Sequence, residues 1–377
     1  MSRPHDSQRT FLPFSNPFRL ILPKRSHYLS PKLFSILSSF EQTLAENLKK
    51  LKPENTSDVL TVSWLRQALE LLSNTHSNVK TLVTDLQFPI SDWDEKWVDI
   101  YLDNSVKLLD ICIALSSELA RLDQGHLLLQ YVLHILDSSD IPSSEHLKRS
   151  HASLHDWTKQ VNLRSSRLEN CVLILPRLAT SLYVAKAKNS AKGKVLMRVL
   201  YGVKVVTVFV CGVLVAALLG SAKPLMELRV PNKFLWAEAF NDLQGDVNGA
   251  IRSQFSSGKV MVHELEAVEA CVEKLHGPTC GAKDEKCEEL KGDVLELAER
   301  AKLHGLTCGA KDEKCEELKG DVLELAERAK ELANGLDLFS RQVEDFFQIV
   351  LTGRDALLCN LREPDVVQDI HVDENKR

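Results

Sequence analysis

Ser91–Leu122 reads SDWDEKWVDIYLDNSVKLLDICIALSSELARL. From Val98 onward, Val98, Tyr101, Ser105, Leu108, Cys112, Leu115, Leu119 and Leu122 alternate spacings of three and four. An α-helix turns once per ~3.6 residues, so this series draws one stripe along one face. Ser91 and Asp92 supply capping side chains after Pro89. Asp94 and Glu95 place negative charge on the first turn, where the helix dipole favours it. The pattern predicts a long helix reaching about Leu136, with Gly125 as the candidate interruption.

The same spacing recurs on both sides. Leu33, Leu37, Phe40, Leu44 and Leu48 predict a helix over 30–51 that Pro53 ends, and a second helix runs from 57 to 86 and stops at Pro89. A polar linker follows the long helix. A fourth helix is predicted over 145–186, bent or divided at Pro176, where a backbone donor is missing. A further helical stretch covers 234–275. Near the C-terminus Cys315, Leu318, Val322, Leu325, Ala329, Leu332, Leu336, Phe339, Val343, Phe346 and Val350 form one seam. The expected fold class is all-α: a bundle of long helices in antiparallel, coiled-coil-like packing around one strongly apolar central helix.

That central helix is Val199–Leu219, with Lys204 its only charge. A spanning helix needs about 20 apolar residues, so insertion in a membrane is the expectation; the alternative is a helix enclosed by a bundle. Lys186, Lys188, Lys192, Lys194 and Arg198 precede it, more positive charge than follows. That asymmetry favours a cytosolic N-terminal side and offers contacts for anionic headgroups. The expected location is a single-pass, cytosol-facing membrane protein of the endoplasmic reticulum or plasma membrane, with plastid association as a further option.

Two copies of a 28-residue segment stand in tandem, Lys274–Ala301 and Lys302–Ala329, differing only in Pro278 against Leu306. Twenty-eight residues are four heptads, so the duplication preserves helical phase. Gly305 and Gly309 with poor seam residues between the copies predict a break at 303–310 and a projecting turn or hairpin. The expected organisation is a basic disordered tail (1–30), an N-terminal bundle (31–190), the apolar helix (195–222), C-terminal helices with the tandem repeat (230–362), and a polar tail (363–377).

Composition narrows function. Hydrophobic residues make up 44% and charged residues 26%, with a net charge of −5, so no global electrostatic case for nucleic acid exists. The nine cysteines form no disulfide framework; four lie in the repeat, and five are scattered in apolar surroundings, as suits a reducing compartment. Residues 1–30 carry charges and prolines where a secretory signal needs an apolar core. Arg3, Arg9, Arg19, Lys24 and Arg25 with Ser and Phe resemble a plastid transit peptide in part, though a basic tail explains them as well.

No catalytic, cofactor or metal site is predicted. His276, Cys280 and Cys287 recur as His304, Cys308 and Cys315, but structural zinc prefers cysteine pairs two to four apart and a fourth ligand. DWDEKW at Asp92–Trp97 gathers acids without a calcium-loop spacing, so a helix first turn explains it. His126, His134, His146, His151 and His155 read as surface residues, and GRDALL at Gly353 as a helix end.

Four stretches carry a resemblance: RPHDSQRTFLPFSNPFRLILPKRSH (3–27), TLVTDLQFPISDWDEKWVDIYLDNSVKLLDIC (81–112), SSELARLDQGHLLLQYVLHIL (116–136) and FFQIVLTGRDALLCNLR (346–362). They resemble the plant BYPASS proteins, which belong with the ROH-type proteins in one helical family. The departure is the second copy of the 28-residue repeat. The resemblance implies a non-enzymatic role in root and shoot development, restraining a root-derived, carotenoid-linked mobile signal. For the ROH-type relatives it implies binding to an exocyst subunit. The expected partners are therefore a membrane and proteins that meet helical faces, with an exocyst subunit among them and no nucleic acid.

Overall fold

The computed structural model describes residues 29–86, 95–137, 144–163, 165–180, 191–257, 262–276 and 310–362. Among the described residues the regular structure is helical and no strand occurs. The helices are α1 (Pro31–Leu51), α2 (Val62–Leu86), α3 (Glu95–Asp137), α4 (Ser144–Asn162), α5 (Ser166–Thr180), α6 (Ala191–Leu219), α7 (Ala237–Ser257), α8 (His263–His276) and α9 (Ala310–Arg362), with a 3-10 turn at Thr56–Leu60.

Each boundary has a local cause. Ser30 caps α1, its Oγ accepting from the Leu33 amide at 3.3 Å. The second predicted helix divides because the Asn55 amide donates to Asp58 Oδ2 at 3.0 Å, closing a tight turn, and Thr61 then caps α2 by accepting from the Trp64 amide at 3.1 Å. Gly220 ends α6 at φ 65°, a conformation that costs glycine little, and the Ser221 amide returns to the Ala216 carbonyl at 3.1 Å.

Three expectations are corrected here. α3 runs unbroken through Gly125, because that glycine faces the Trp157 ring of α4, 3.4 Å from where a Cβ would stand. The predicted 145–186 helix divides at Leu163–Ser165 rather than at Pro176, which lies inside α5. Ser165 starts the new helix, its Oγ accepting from the Leu168 amide at 3.4 Å. The stretch over 234–275 is likewise two helices, α7 and α8. The 303–310 break lies outside the described residues apart from Ala310, where α9 starts, and so does the first repeat copy apart from Lys274–His276, where α8 ends.

The predicted seams are the core. Val98, Ser105, Leu108, Cys112, Leu115, Leu119 and Leu122 of α3 are buried, as are Leu325, Ala329, Leu332, Leu336, Phe339, Val343, Phe346 and Val350 of α9. These two long helices pack on each other; α4 and α5 cover other parts of α3, and α8 and α2 cover α9.

α6 is enclosed by α1, α2, α3 and α5. Gly202 sits against Phe40, Leu44 and Trp236, and Phe209 meets Phe240 of α7 edge-on at 5.4 Å. Its length and mean hydropathy of 2.5 suit a membrane span, yet 83% of its most apolar window is buried against protein. The helices around it present polar residues outward, so the packing is that of a bundle centre.

Candidate functional site

The interior of this bundle is apolar, so its few polar side chains stand out. Glu41 falls within the apolar stripe of α1, between Leu37 and Leu44, and is 2% exposed. Its carboxylate accepts from Arg198 of α6 through both oxygens: Nε reaches Oε1, and Nη2 reaches Oε2 at 3.0 Å. Oε2 also accepts the Leu235 amide at 3.1 Å, and Arg198 Nη2 donates to the Lys233 carbonyl at 3.0 Å. The guanidinium lies 4.9 Å from the Phe234 ring centre, and Tyr201 stacks on that ring at 5.0 Å. One bidentate pair thus joins α1, α6 and the 231–236 turn. Arg198, expected among the lipid-facing charges, is instead held inside the protein. Lys192 and Lys194 remain half-buried, and Lys186 and Lys188 lie outside the described residues.

A second junction joins α2, α6 and α9. Thr207 Oγ1 donates to the Val203 carbonyl at 2.8 Å, leaving its lone pairs free to accept. His76 Nε2 lies 2.9 Å from that oxygen, so the neutral ring carries its proton on Nε2. The ring meets Phe346 of α9 edge-on at 5.2 Å. Burial pushes the imidazole down to about 4 from an ordinary 6.5. The unfolded chain then binds a proton below pH 6.5 that the fold does not accept until near pH 4. Stability attributable to His76 is complete above pH 6.5 and is lost as pH falls toward 4, by at most about 3 kcal/mol because the residue as a whole is only partly buried. Urea midpoints across pH 4–7 check this: His76→Gln, which keeps a donor for Thr207, is expected to flatten the acid limb. An unchanged limb would contradict it.

Remaining polar contacts tie chain-distant elements together. Glu264 of α8 accepts the Val62 amide through Oε1 at 2.9 Å and Oε2 at 3.0 Å, capping α2 from 202 positions away. Arg354 of α9, within GRDALL, donates to the Leu102 carbonyl at 2.6 Å and to Ser105 Oγ at 2.9 Å. Beside it Gly353 leaves room for Tyr101, whose hydroxyl lies 3.2 Å from where a Cβ would stand. Arg121 pairs with buried Glu118 and donates to the Gln160 carbonyl, while Gln160 Nε2 returns to the Arg121 carbonyl at 2.9 Å. GRDALL and SSELARLDQG are therefore joints between helices.

Cys112, Cys171 and Cys211 lie near one another where α3, α5 and α6 meet. Burial pushes the Cys112 thiol up to about 12 and Cys171 to about 11, which keeps both protonated at neutral pH. Among the described residues no three His, Cys, Asp or Glu side chains converge as metal ligands would. His134, His151 and His155 are exposed, as expected, whereas His126 and His146 are half-buried. Burial lowers His126, Asp123 opposing it, and its Nε2 meets Gln130 Nε2 at 3.0 Å. The Cys280, Cys287, His304 and Cys308 candidates and Asp92–Asp94 lie outside the described residues, as do the side chains of His276 and Cys315. Sequence reasoning missed Glu41, His76 and Glu264. Only Glu41 left a signal, as a charge at a core position of an amphipathic stripe.

These features define an all-α bundle protein built around one apolar helix and joined by buried polar contacts between distant helices. Residues 25–171 match the family model described as Protein ROH1-like. UPF0496 protein 4 of Oryza sativa subsp. japonica is 45% identical over 98% of this chain and 99% of its own length, and its counterpart of subsp. indica is 48% identical over the same shares. Protein BPS1, chloroplastic, of Arabidopsis thaliana is 45% identical over 96% of this chain and 93% of its own. The chain belongs to the BYPASS/ROH-type family. No solved structure matches it.

Proposed function

We propose that this protein is a non-enzymatic regulator of plant root and shoot development, restraining a root-derived, carotenoid-linked mobile signal as the BYPASS resemblance implies. The observation that carries the reading is the near full-length identity with the Arabidopsis protein BPS1. The buried polar contacts around Glu41, Glu118 and Arg354 give them a role in joining helices, which supports action through surfaces rather than chemistry. Removal of this gene and its close relatives should give roots that arrest a grafted wild-type shoot, with growth restored by this chain. Normal growth of such grafts would sink the proposal.

The match of residues 25–171 to the ROH1-like model favours a second reading, an adaptor that binds an exocyst subunit through a helical face. Binding of the purified full chain to individual exocyst subunits separates the two, since the first reading requires none. On location, the enclosure of α6 favours a bundle core over a span, and the basic residues Lys192 and Lys194 ahead of it support attachment at the cytosolic side of a membrane surface. The plastid envelope is included because the Arabidopsis relative is named as chloroplastic.

A further inference from the structure

α3 buries one face and, among the described residues, leaves another uncovered. Val106 (43% exposed), Ile113 (45%), Leu127 (62%) and Tyr131 (46%) line that outer face, with exposed Ala120 completing the heptad spacing between Ile113 and Leu127. A long stripe of this kind on a protein surface marks a contact. Its margins are acidic: Asp99, Asp103, Asp110 and Asp123 are exposed beside it, Asp103 being shared with Lys107 of the same helix.

Charge selects the occupant. A second copy of the stripe would set aspartates against aspartates. The first repeat copy carries seven acidic residues against five basic ones and so offers no net positive charge to the stripe. The N-terminal segment is the complement: FLPFSNPFRLIL at 11–22 is apolar, and Arg9, Arg19, Lys24 and Arg25 surround it with positive charge. We propose that the outer stripe of α3 is the docking surface for the chain's own segment Phe11–Leu22, laid extended along the helix.

Length and topology agree. Val106 to Tyr131 spans about 37 Å of helix, and a segment of the length of Phe11–Leu22, if laid extended, would cover about 34 Å. α1 and α2 pack as a hairpin, the Trp64 indole donating to the Leu51 carbonyl at 3.0 Å. Ser30 therefore lies at the end of the bundle where α2 finishes at Leu86 and α3 begins at Glu95. Leaving from there, Pro23–Leu29 bridges to α3, Leu22 meets Val106, and Phe11 reaches Tyr131. Lys24 and Arg25 then face Asp103 and Asp99, and Arg19 faces Asp110.

The test uses the full chain carrying Leu127→Cys, with maleimide labelling at that position followed by peptide mass spectrometry and exposed Cys359 as the internal reference. Two further chains add Arg19→Glu, Lys24→Glu and Arg25→Glu, or Phe14→Ser and Phe18→Ser. Labelling should be slow in the first chain and faster in both others on the order of tenfold, the change expected when a segment docked about 90% of the time is released. Helix content should be equal in all three. Equal labelling rates overturn the proposal and leave the stripe to another protein. Protection that grows with concentration, together with a dimer by light scattering, overturns it in favour of a second copy.

Discussion

Leu214→Glu should abolish the folded bundle rather than weaken one contact. Leu214 is 0% exposed and lies in a run from Val205 to Ala217 that is buried throughout. Only Thr207 is polar there, and it is engaged with His76 and the Val203 carbonyl. A carboxylate at this position has no donor to meet. It must stay protonated, draw water into the core, or unfold the chain. An unpaired buried charge costs several kcal/mol, and with the lost leucine packing the total is about 5 kcal/mol or more, comparable to the whole stability of an ordinary domain. Leu214→Met conserves volume and should cost less than about 1.5 kcal/mol. The expected readout is loss of soluble protein and of a cooperative thermal transition for Leu214→Glu, with Leu214→Met near wild type. A cooperative melt within a few degrees of wild type for the glutamate variant would show that α6 is not the centre of the fold.

Arg198→Met should be the second most damaging change. It leaves the Glu41 carboxylate 2% exposed with only the Leu235 amide as a partner among its described contacts. Breaking one side of a buried pair costs about 3–5 kcal/mol, mostly from the charge left behind. Replacing both partners removes that penalty, so Glu41→Leu with Arg198→Met should recover most of the loss. Part of the deficit should remain because the Leu235 amide and Lys233 carbonyl lose their partners. Chemical denaturation of both singles and the double closes the cycle. Singles that each cost under about 1 kcal/mol would mean that the pair is solvated rather than structural.

Both variants test contacts that differ in how far they could be read in advance. The seams of α3 and α9 were legible because apolar spacing is a local property: Leu108, Cys112, Leu115 and Leu119 occupy the buried face that their spacing predicts. The apolar character of α6 was equally plain. Whether it meets lipid or protein depends on α1, α2, α3 and α5, which no window around Val199–Leu219 contains. Gly125 looked like a break because its neighbour, Trp157, is 32 residues away and supplies the packing that keeps α3 whole. Pro176 looked like a divider, but the break settled where Ser165 offers a cap. The joints were least legible. His76 and Thr207 are ordinary residues until α2 and α6 meet, and Glu264 caps a helix on the far side of the sequence.

Carbonate extraction of the full chain expressed in plant cells tests the central claim most directly, namely that α6 is the enclosed core helix of a folded bundle. The account predicts that alkaline carbonate releases the protein into the supernatant and that it returns, without detergent, to a helical monomer with a cooperative melt. Retention in the carbonate pellet with release only by detergent would place α6 in lipid and contradict the account.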